Sequence, residues 1–180
     1  MKMIRFLITI LIVWFSFLPL QKNTTNDVVE AAFASTFLEL LEPYPNLVKE
    51  NFLFVPQSLS YSLFKDIQLD NGDVNLSQFK TSNRQSRSLE FLIPNFVDKK
   101  KQSQYLDLLK NGSDDFWISM RKDSDYFGTV RMTEPMINGN SAFVVLSFQW
   151  GPRNGFVQWF KLKKLKDKWV VKNKEITIEF

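Results

Sequence analysis

The feature that most constrains the fold is the last third of the chain, residues 126–180, where apolar and polar residues alternate between clusters of turn residues. Asn138-Gly139 lies between the apolar runs Val130–Met132 and Ala142–Leu146. An Asn-Gly pair accepts positive φ at low cost, which predicts a tight turn between two strands. Pro135 should end the first strand, because proline cannot donate a hydrogen bond to a strand ladder.

Two further reversals divide the rest of this stretch. Gly151–Gly155 and Lys166–Lys168 consist of turn-forming residues and separate strands predicted at Ser141–Trp150, at Phe156–Leu165 and from Trp169 onward. The first of these strands has apolar residues on both faces near its start, which predicts a central position covered on two sides. We therefore expect a four-stranded antiparallel meander.

Helices are predicted in the first two thirds. Val29, Phe33, Phe37 and Leu40 form an apolar stripe within residues 27–41, and Asp27 is expected to cap that helix. Shorter helices are expected over residues 102–110, ending at Asn111-Gly112, and from Ser113, with Phe116, Trp117 and Met120 facing inward. The pattern predicts an α+β fold in which the N-terminal helix packs on a curled antiparallel sheet.

Five segments between these elements give weaker signals. Residues 47–54 fit either a short helix or the start of a strand, and residues 59–69 and 89–97 are strand-like, the latter broken by a proline. Residues 70–73 predict a turn rather than a calcium loop, because the glutamate that should end such a loop is missing. Residues 77–88 predict an exposed loop. With no repeat or linker visible, residues 24–180 are expected to form a single domain.

Met1–Leu20 has the pattern of a targeting segment. Lys2 and Arg5 precede the apolar run Phe6–Leu18, whose 13 residues suit a signal peptide and fall short of the ~20 needed to span a bilayer. We expect an exported protein, periplasmic, extracellular or anchored by an uncleaved leader. Membrane contact is expected only through this segment.

The composition excludes several chemistries. The chain of 180 residues has no Cys and no His, which excludes disulfides, thiol catalysis, the usual catalytic triads and most zinc sites. Carboxylate pairs at Asp114/Asp115 and Asp123/Asp125, and Glu134, are the acid–base groups that remain. Adjacent acids at a helix start are usually capping groups, so no catalytic residue, metal site or cofactor is expected.

Two sets of side chains are candidates for binding. Trp150, Trp159 and Trp169 lie on neighbouring predicted strands and would bind a ligand if they lined a concave sheet, although filling the core is the simpler explanation. Residues 153–180 carry eight basic and three acidic side chains, which predicts a basic surface that would suit an anionic partner or simply aid solubility. Its members should be Lys161, Lys163, Lys172 and Lys174.

The C-terminal part of the chain also resembles a group of known proteins. Thr133-Glu134-Pro135, the turn at Asn138–Asn140, the turn at Gly151–Gly155 and Lys168–Val171 resemble small exported bacterial proteins of unknown function, over roughly residues 113–180. The resemblance implies an α+β arrangement similar to nuclear-transport-factor-like or cystatin-like domains, and no activity. The paired cysteines found in some of these proteins are absent.

These observations favour an exported, non-enzymatic binding or interaction module. Its ligand is not defined by the sequence, a protein or an anionic surface would suit it, and nucleic acid is not expected to be its partner because of the export signal. The alternatives are a ligand carrier with a pocket between the first helix and the sheet, or a carboxylate-based acid–base enzyme.

Overall fold

A mixed β-sheet with helices on both of its faces forms the centre of the protein. The computed structural model describes residues 24–59, 88–94, 97, 99–111, 113–122 and 126–180. Within these residues the sheet has six strands in the order β1-β2-β4-β5-β6, and β3 pairs with β4. The elements are α1 (24–40), β1 (Phe52–Phe54), α2 (Lys99–Asn111), α3 (Ser113–Lys122), β2 (Gly128–Met132), β3 (Met136–Asn138), β4 (Ser141–Gly151), β5 (Asn154–Leu165) and β6 (Lys168–Glu179).

The α+β prediction is confirmed, with one difference in strand direction. Strands β2 to β6 pair antiparallel, as the alternation predicts, whereas β1 pairs parallel to β2. The chain between β1 and β2 contains α2 and α3, and a long connection of this kind is what a parallel pair requires. The short apolar run that forms β1 carried no signal of its direction.

The first strand of the predicted meander is broken in two. Pro135 ends it as expected, but the chain pairs again with β4 as β3. Met132 pairs with Leu146 and Met136 with Phe143, so the broken strand contains one residue more than β4 over this interval. Thr133 closes the gap. Its backbone N–H donates to the Val145 carbonyl at 2.9 Å, and its Oγ1 accepts from the Val145 N–H at 3.0 Å.

The predicted turns of the meander are confirmed. Gly139 has φ 56°, and it is the first of two central residues between Asn138 and Ser141, which pair with each other. Only this residue of the turn needs positive φ. In the β5–β6 turn both central residues do, because Lys166 has φ 47° and Asp167 has φ 65°. Twisted two-residue hairpins favour such turns, although Asn and Gly suit these positions better.

Strand β4 is central and buried on both faces, as predicted. We call the α1 side of the sheet the helix face and the other side the rear face. On the helix face Val144, Leu146 and Phe148 pack with Phe160 of β5 in the largest apolar cluster. On the rear face the side chains are Phe143, Val145 and Ser147 of β4 and Val157, Trp159, Lys161 and Lys163 of β5.

Helix α1 covers the helix face through aromatic packing. Phe33 is fully buried, and its ring centroid lies 5.4 Å from that of Phe52, 5.1 Å from that of Phe54 and 6.0 Å from that of Phe148. These rings fill the space in which the ligand-carrier alternative placed a pocket. The proposed cap at Asp27 is wrong. That residue lies within the helix, which is already formed at residue 24, and the buried face already includes Val28.

The remaining helices lie against β1 on the rear face. Helix α2 begins at Lys99 and ends at Asn111, and α3 begins at Ser113, in agreement with the predicted helices. Phe116, Trp117 and Met120 are buried with Leu53 of β1, as expected. None of the described helices is long and apolar enough to cross a membrane.

The weaker predictions have mixed outcomes. Residues 47–54 contain both elements that were considered, a 3-10 turn at Lys49–Asn51 followed by β1. The strand predicted over residues 89–97 is wrong, because Glu90–Leu92 forms a 3-10 turn that buries Leu92 ahead of the proline. Residues 1–20, the turn at residues 70–73, nearly all of the segments 59–69 and 77–88, and the pair Asp123/Asp125 lie outside the described residues.

Candidate anion-binding site

The three candidate tryptophans do not form one site. Trp150 and Trp169 belong to the helix-face cluster but lie at opposite ends of the sheet, roughly 30 Å apart at the usual rise per strand residue. Trp159 lies on the rear face, with its ring centroid 6.1 Å from that of Phe143. Trp169 is buried, whereas Trp150 and Trp159 are half-buried. The sheet therefore does not bring these indoles together around a ligand.

The four candidate lysines are also divided between environments. Lys161 and Lys163 share the rear face, and Lys163 Nζ donates to Ser141 Oγ at 2.8 Å. Lys174 lies on the helix face opposite Phe160, where its Nζ is 2.7 Å from Glu39 Oε1 and donates to Ser35 Oγ at 2.9 Å. Lys172 is exposed.

The acidic residues do not form a recognisable catalytic or metal-binding group. Asp114 and Asp115 lie in the first turn of α3, as expected of capping residues. Glu134 is half-buried beside the break between β2 and β3. Within the described ranges no three acidic side chains lie close enough together to hold a metal ion.

One surface cavity of about 360 Å³ lies beyond the end of α1. It is lined by the Pro43–Leu47 turn, Asn51, Tyr126 and Phe127. The rings of Tyr44 and Phe127 are 4.8 Å apart between centroids and form its aromatic wall. The lining contains no charged side chain, so this cavity would suit an uncharged or apolar ligand.

Arg131 occupies a different kind of environment. It lies in β2 directly opposite Ser147 of β4, on the rear face. On its other side the chain leaves β1 at Val55, whose N–H donates to the Val130 carbonyl at 2.9 Å. Thr129, two residues earlier on the same face, donates through Oγ1 to the Gln149 carbonyl at 3.4 Å. These neighbours form a narrow polar strip across β2 and β4.

Apolar clusters border this strip on both sides. One consists of Leu59, Phe143, Val145 and Val157, and the other is the cluster of β1, α2 and α3 around Phe116. Arg131 therefore places a cation on a face that is otherwise packed with apolar side chains. A few polar groups within an apolar surround are typical of ligand sites.

The charge of Arg131 has no counterpart. Its Nε is buried without a hydrogen-bond acceptor, and no carboxylate of the described residues forms an ion pair with it. Desolvation by burial lowers the pKa of Arg131 below its usual value, because removal from water disfavours the charged form. A nearby carboxylate would oppose this shift, and none is found in the described part of the chain.

This arrangement can bind an oxyanion. A guanidinium presents several N–H donors in a plane, matches the two oxygens of a carboxylate or phosphate, and binds them more strongly where water is excluded. The Ser147 hydroxyl across the ladder can donate a further hydrogen bond. The group is half-buried, so part of the side chain still reaches solvent.

Sequence reasoning missed Arg131 because its strand neighbours gave it no distinctive context. In Val130-Arg131-Met132 a charged residue between two apolar ones indicates a solvent-facing position on a half-buried strand. The rear-face clusters that bury it come from segments distant in the chain. No known protein family, curated protein or solved structure matches this chain.

Proposed function

We propose that this protein is an exported, non-enzymatic binding module that takes the carboxylate or phosphate group of its ligand at Arg131. The observation that carries the proposal is a partly buried guanidinium with a buried, unsatisfied Nε and no ion pair within the described residues. An uncompensated buried charge is costly, and such costs are retained mainly at functional sites. Export is supported by the basic start and apolar run of residues 1–20.

The absence of a catalytic role follows from the chemistry of the whole chain. Without His or Cys, acid–base or nucleophilic catalysis would depend on carboxylates, hydroxyls or lysines. Arg131 itself is a poor proton donor or acceptor at neutral pH, because a guanidinium stays protonated in proteins. Its chemistry supports binding and orientation of an anion instead.

Thermal unfolding of the purified protein tests this function. The probes are sodium phosphate, sodium sulfate and sodium acetate, each compared with sodium chloride at equal ionic strength. An anion present at ten times its Kd stabilises the folded state by about 1.4 kcal/mol. For a protein of this size the Tm should rise by about 4 °C.

Matched arginine substitutions assign any such rise to the site. Arg131→Gln should abolish the shift, and Arg131→Lys should reduce it, because lysine keeps the charge but not the paired donors. Arg153 is exposed in the β4–β5 turn, so Arg153→Gln should leave the shift unchanged. The proposal fails if no oxyanion raises the Tm above the chloride value, or if Arg131→Gln retains the full shift.

A ligand carrier is the second candidate, supported by the cavity beside Tyr44. The same measurement separates the two. A carrier using that cavity should be stabilised by an uncharged aromatic probe such as phenol and not by phosphate, and Arg131→Gln should have no effect on that stabilisation.

A further inference from the structure

Strand β6 has an open edge. It pairs with β5 on one side, and none of the described strands pairs with its other side. Its exposed side chains include Val170, Ile176 and Ile178, each between 36% and 42% accessible to solvent. A long edge strand with apolar side chains is a template for another strand, since its outward backbone groups are unpaired.

The charges of β6 are separated along the strand. Lys168 and Lys172 lie in its first half, and Glu175 and Glu179 lie in its second half. All of these side chains are exposed, and none forms an ion pair within the described residues. An antiparallel neighbour of the same sequence would place each basic half against an acidic half.

We propose that β6 pairs antiparallel with β6 of a second copy of this chain, joining two sheets across a two-fold axis. With the axis between Asn173 and Lys174, Lys172 lies opposite Glu175 of the second copy, and Lys168 lies opposite Glu179 of the second copy. Each ion pair occurs twice, because a two-fold interface repeats every contact. This inference is independent of the function proposed for Arg131.

The same register accounts for the apolar residues and the remaining charge. Val171 lies opposite Ile176 of the second copy, so an exposed isoleucine gains an apolar neighbour. Lys174 is already neutralised within its own chain by Glu39 at 2.7 Å, and its neighbour across the axis is the uncharged Asn173. All five charged side chains of the strand therefore find a suitable environment.

Protection of the edge is the competing explanation. Charged side chains and bulges commonly prevent edge strands from pairing, and β6 has register shifts opposite Val157/Gln158 and Lys161/Leu162. Protection, however, requires only that charges be present, in any order. Their separation into a basic half and an acidic half serves no protective purpose and favours antiparallel self-pairing over parallel pairing.

Sedimentation velocity over a range of protein concentrations measures the dimer. The purified full chain should show a concentration-dependent dimer. Lys172→Glu places two like charges opposite each other on both sides of the axis and should raise the dissociation constant by roughly tenfold or more. The double variant Lys172→Glu/Glu175→Lys restores opposite charges and should return the constant to near its original value.

A matched control and two clear outcomes complete the test. Lys122→Glu makes the same charge change at an exposed site on α3 and should leave the dimer unaffected. Circular dichroism of each variant confirms folding, which exposed charge changes should preserve. The inference is overturned if the chain stays monomeric at every concentration. It is equally overturned if Lys172→Glu dimerises as well as the starting protein, because the dimer would then use another surface.

Discussion

Replacing Arg131 by methionine should stabilise the protein in the absence of any anion. Methionine has a similar length, is apolar and adapts to irregular spaces. It would remove a desolvated cation and an unsatisfied Nε from the rear face while keeping most of the packing of the side chain. Most substitutions of partly buried residues destabilise, so the expected direction is opposite to the usual one.

The expected gain follows from the cost of the unpaired group. A buried hydrogen-bonding group without a partner costs about 1–3 kcal/mol, and a charged one costs more. Arg131 is only half-buried, so solvent still screens part of its charge and the lower end of that range applies. We expect the free energy of unfolding to rise by about 1 kcal/mol, which corresponds to a Tm increase of about 2–4 °C.

The pH dependence of this gain has a definite sign. Burial lowers the pKa of Arg131, so the folded state releases the proton more readily than the unfolded state does. The cost is fully present below the lowered folded pKa and disappears as the pH rises toward the unfolded pKa. Since arginine is protonated in both states at neutral pH, the gain from Arg131→Met should be undiminished there.

Chemical denaturation with urea at neutral pH measures the difference. Arg153→Met is the matched control, because Arg153 is exposed and its replacement should change the stability by less than about 0.5 kcal/mol. A loss of stability in Arg131→Met, with Arg153→Met unchanged, would show that the guanidinium makes favourable contacts. The case for an uncompensated cation would then be refuted.

Two further predictions concern the fold. Phe33→Ala should lower the free energy of unfolding by about 3–5 kcal/mol in urea denaturation, because Phe33 is fully enclosed by other rings, whereas Leu38→Ala on the exposed side of the same helix should cost less than about 0.5 kcal/mol; equal losses would contradict the assigned helix face. Lys166→Asn combined with Asp167→Gly should raise the Tm by a few degrees in a thermal melt, since Asn and Gly relieve positive φ at both turn positions, and no gain would contradict the assigned turn.

Strand positions were predictable because their signal is local. Alternation along β4 and β5 depends only on neighbouring residues, and the turns at Gly139 and at Lys166-Asp167 lie where turn-forming residues interrupt it. The return of the chain as β3 after Pro135 was missed. It depends on Thr133 bonding to β4 through both its backbone and its side chain, and the sequence gives no sign of that pairing.

The positions of the lysines were less predictable because a bulge changes the alternation. Lys172 and Lys174 were expected on one face, as in a regular strand. Between Val171, which pairs with Leu162, and Asn173, which pairs with Lys161, β6 has one residue more than β5. Lys172 is that additional residue, and beyond it Lys174 lies on the helix face, within reach of Glu39. A single additional residue thus separates two lysines that simple alternation placed together.

The two sites proposed here share a physical origin. At Arg131 a charge lies where packing favours an apolar residue, and along β6 apolar residues lie where solvent favours polar ones. Elsewhere in the described sheet the local pattern and the tertiary environment agree, as in β4, whose apolar faces are both buried. Proteins depart from that agreement mainly where binding supplies what folding leaves unsatisfied. An anion would supply the missing charge at Arg131, and a second strand would supply the missing ladder at β6. Each requirement names its own ligand, so each can fail without the other.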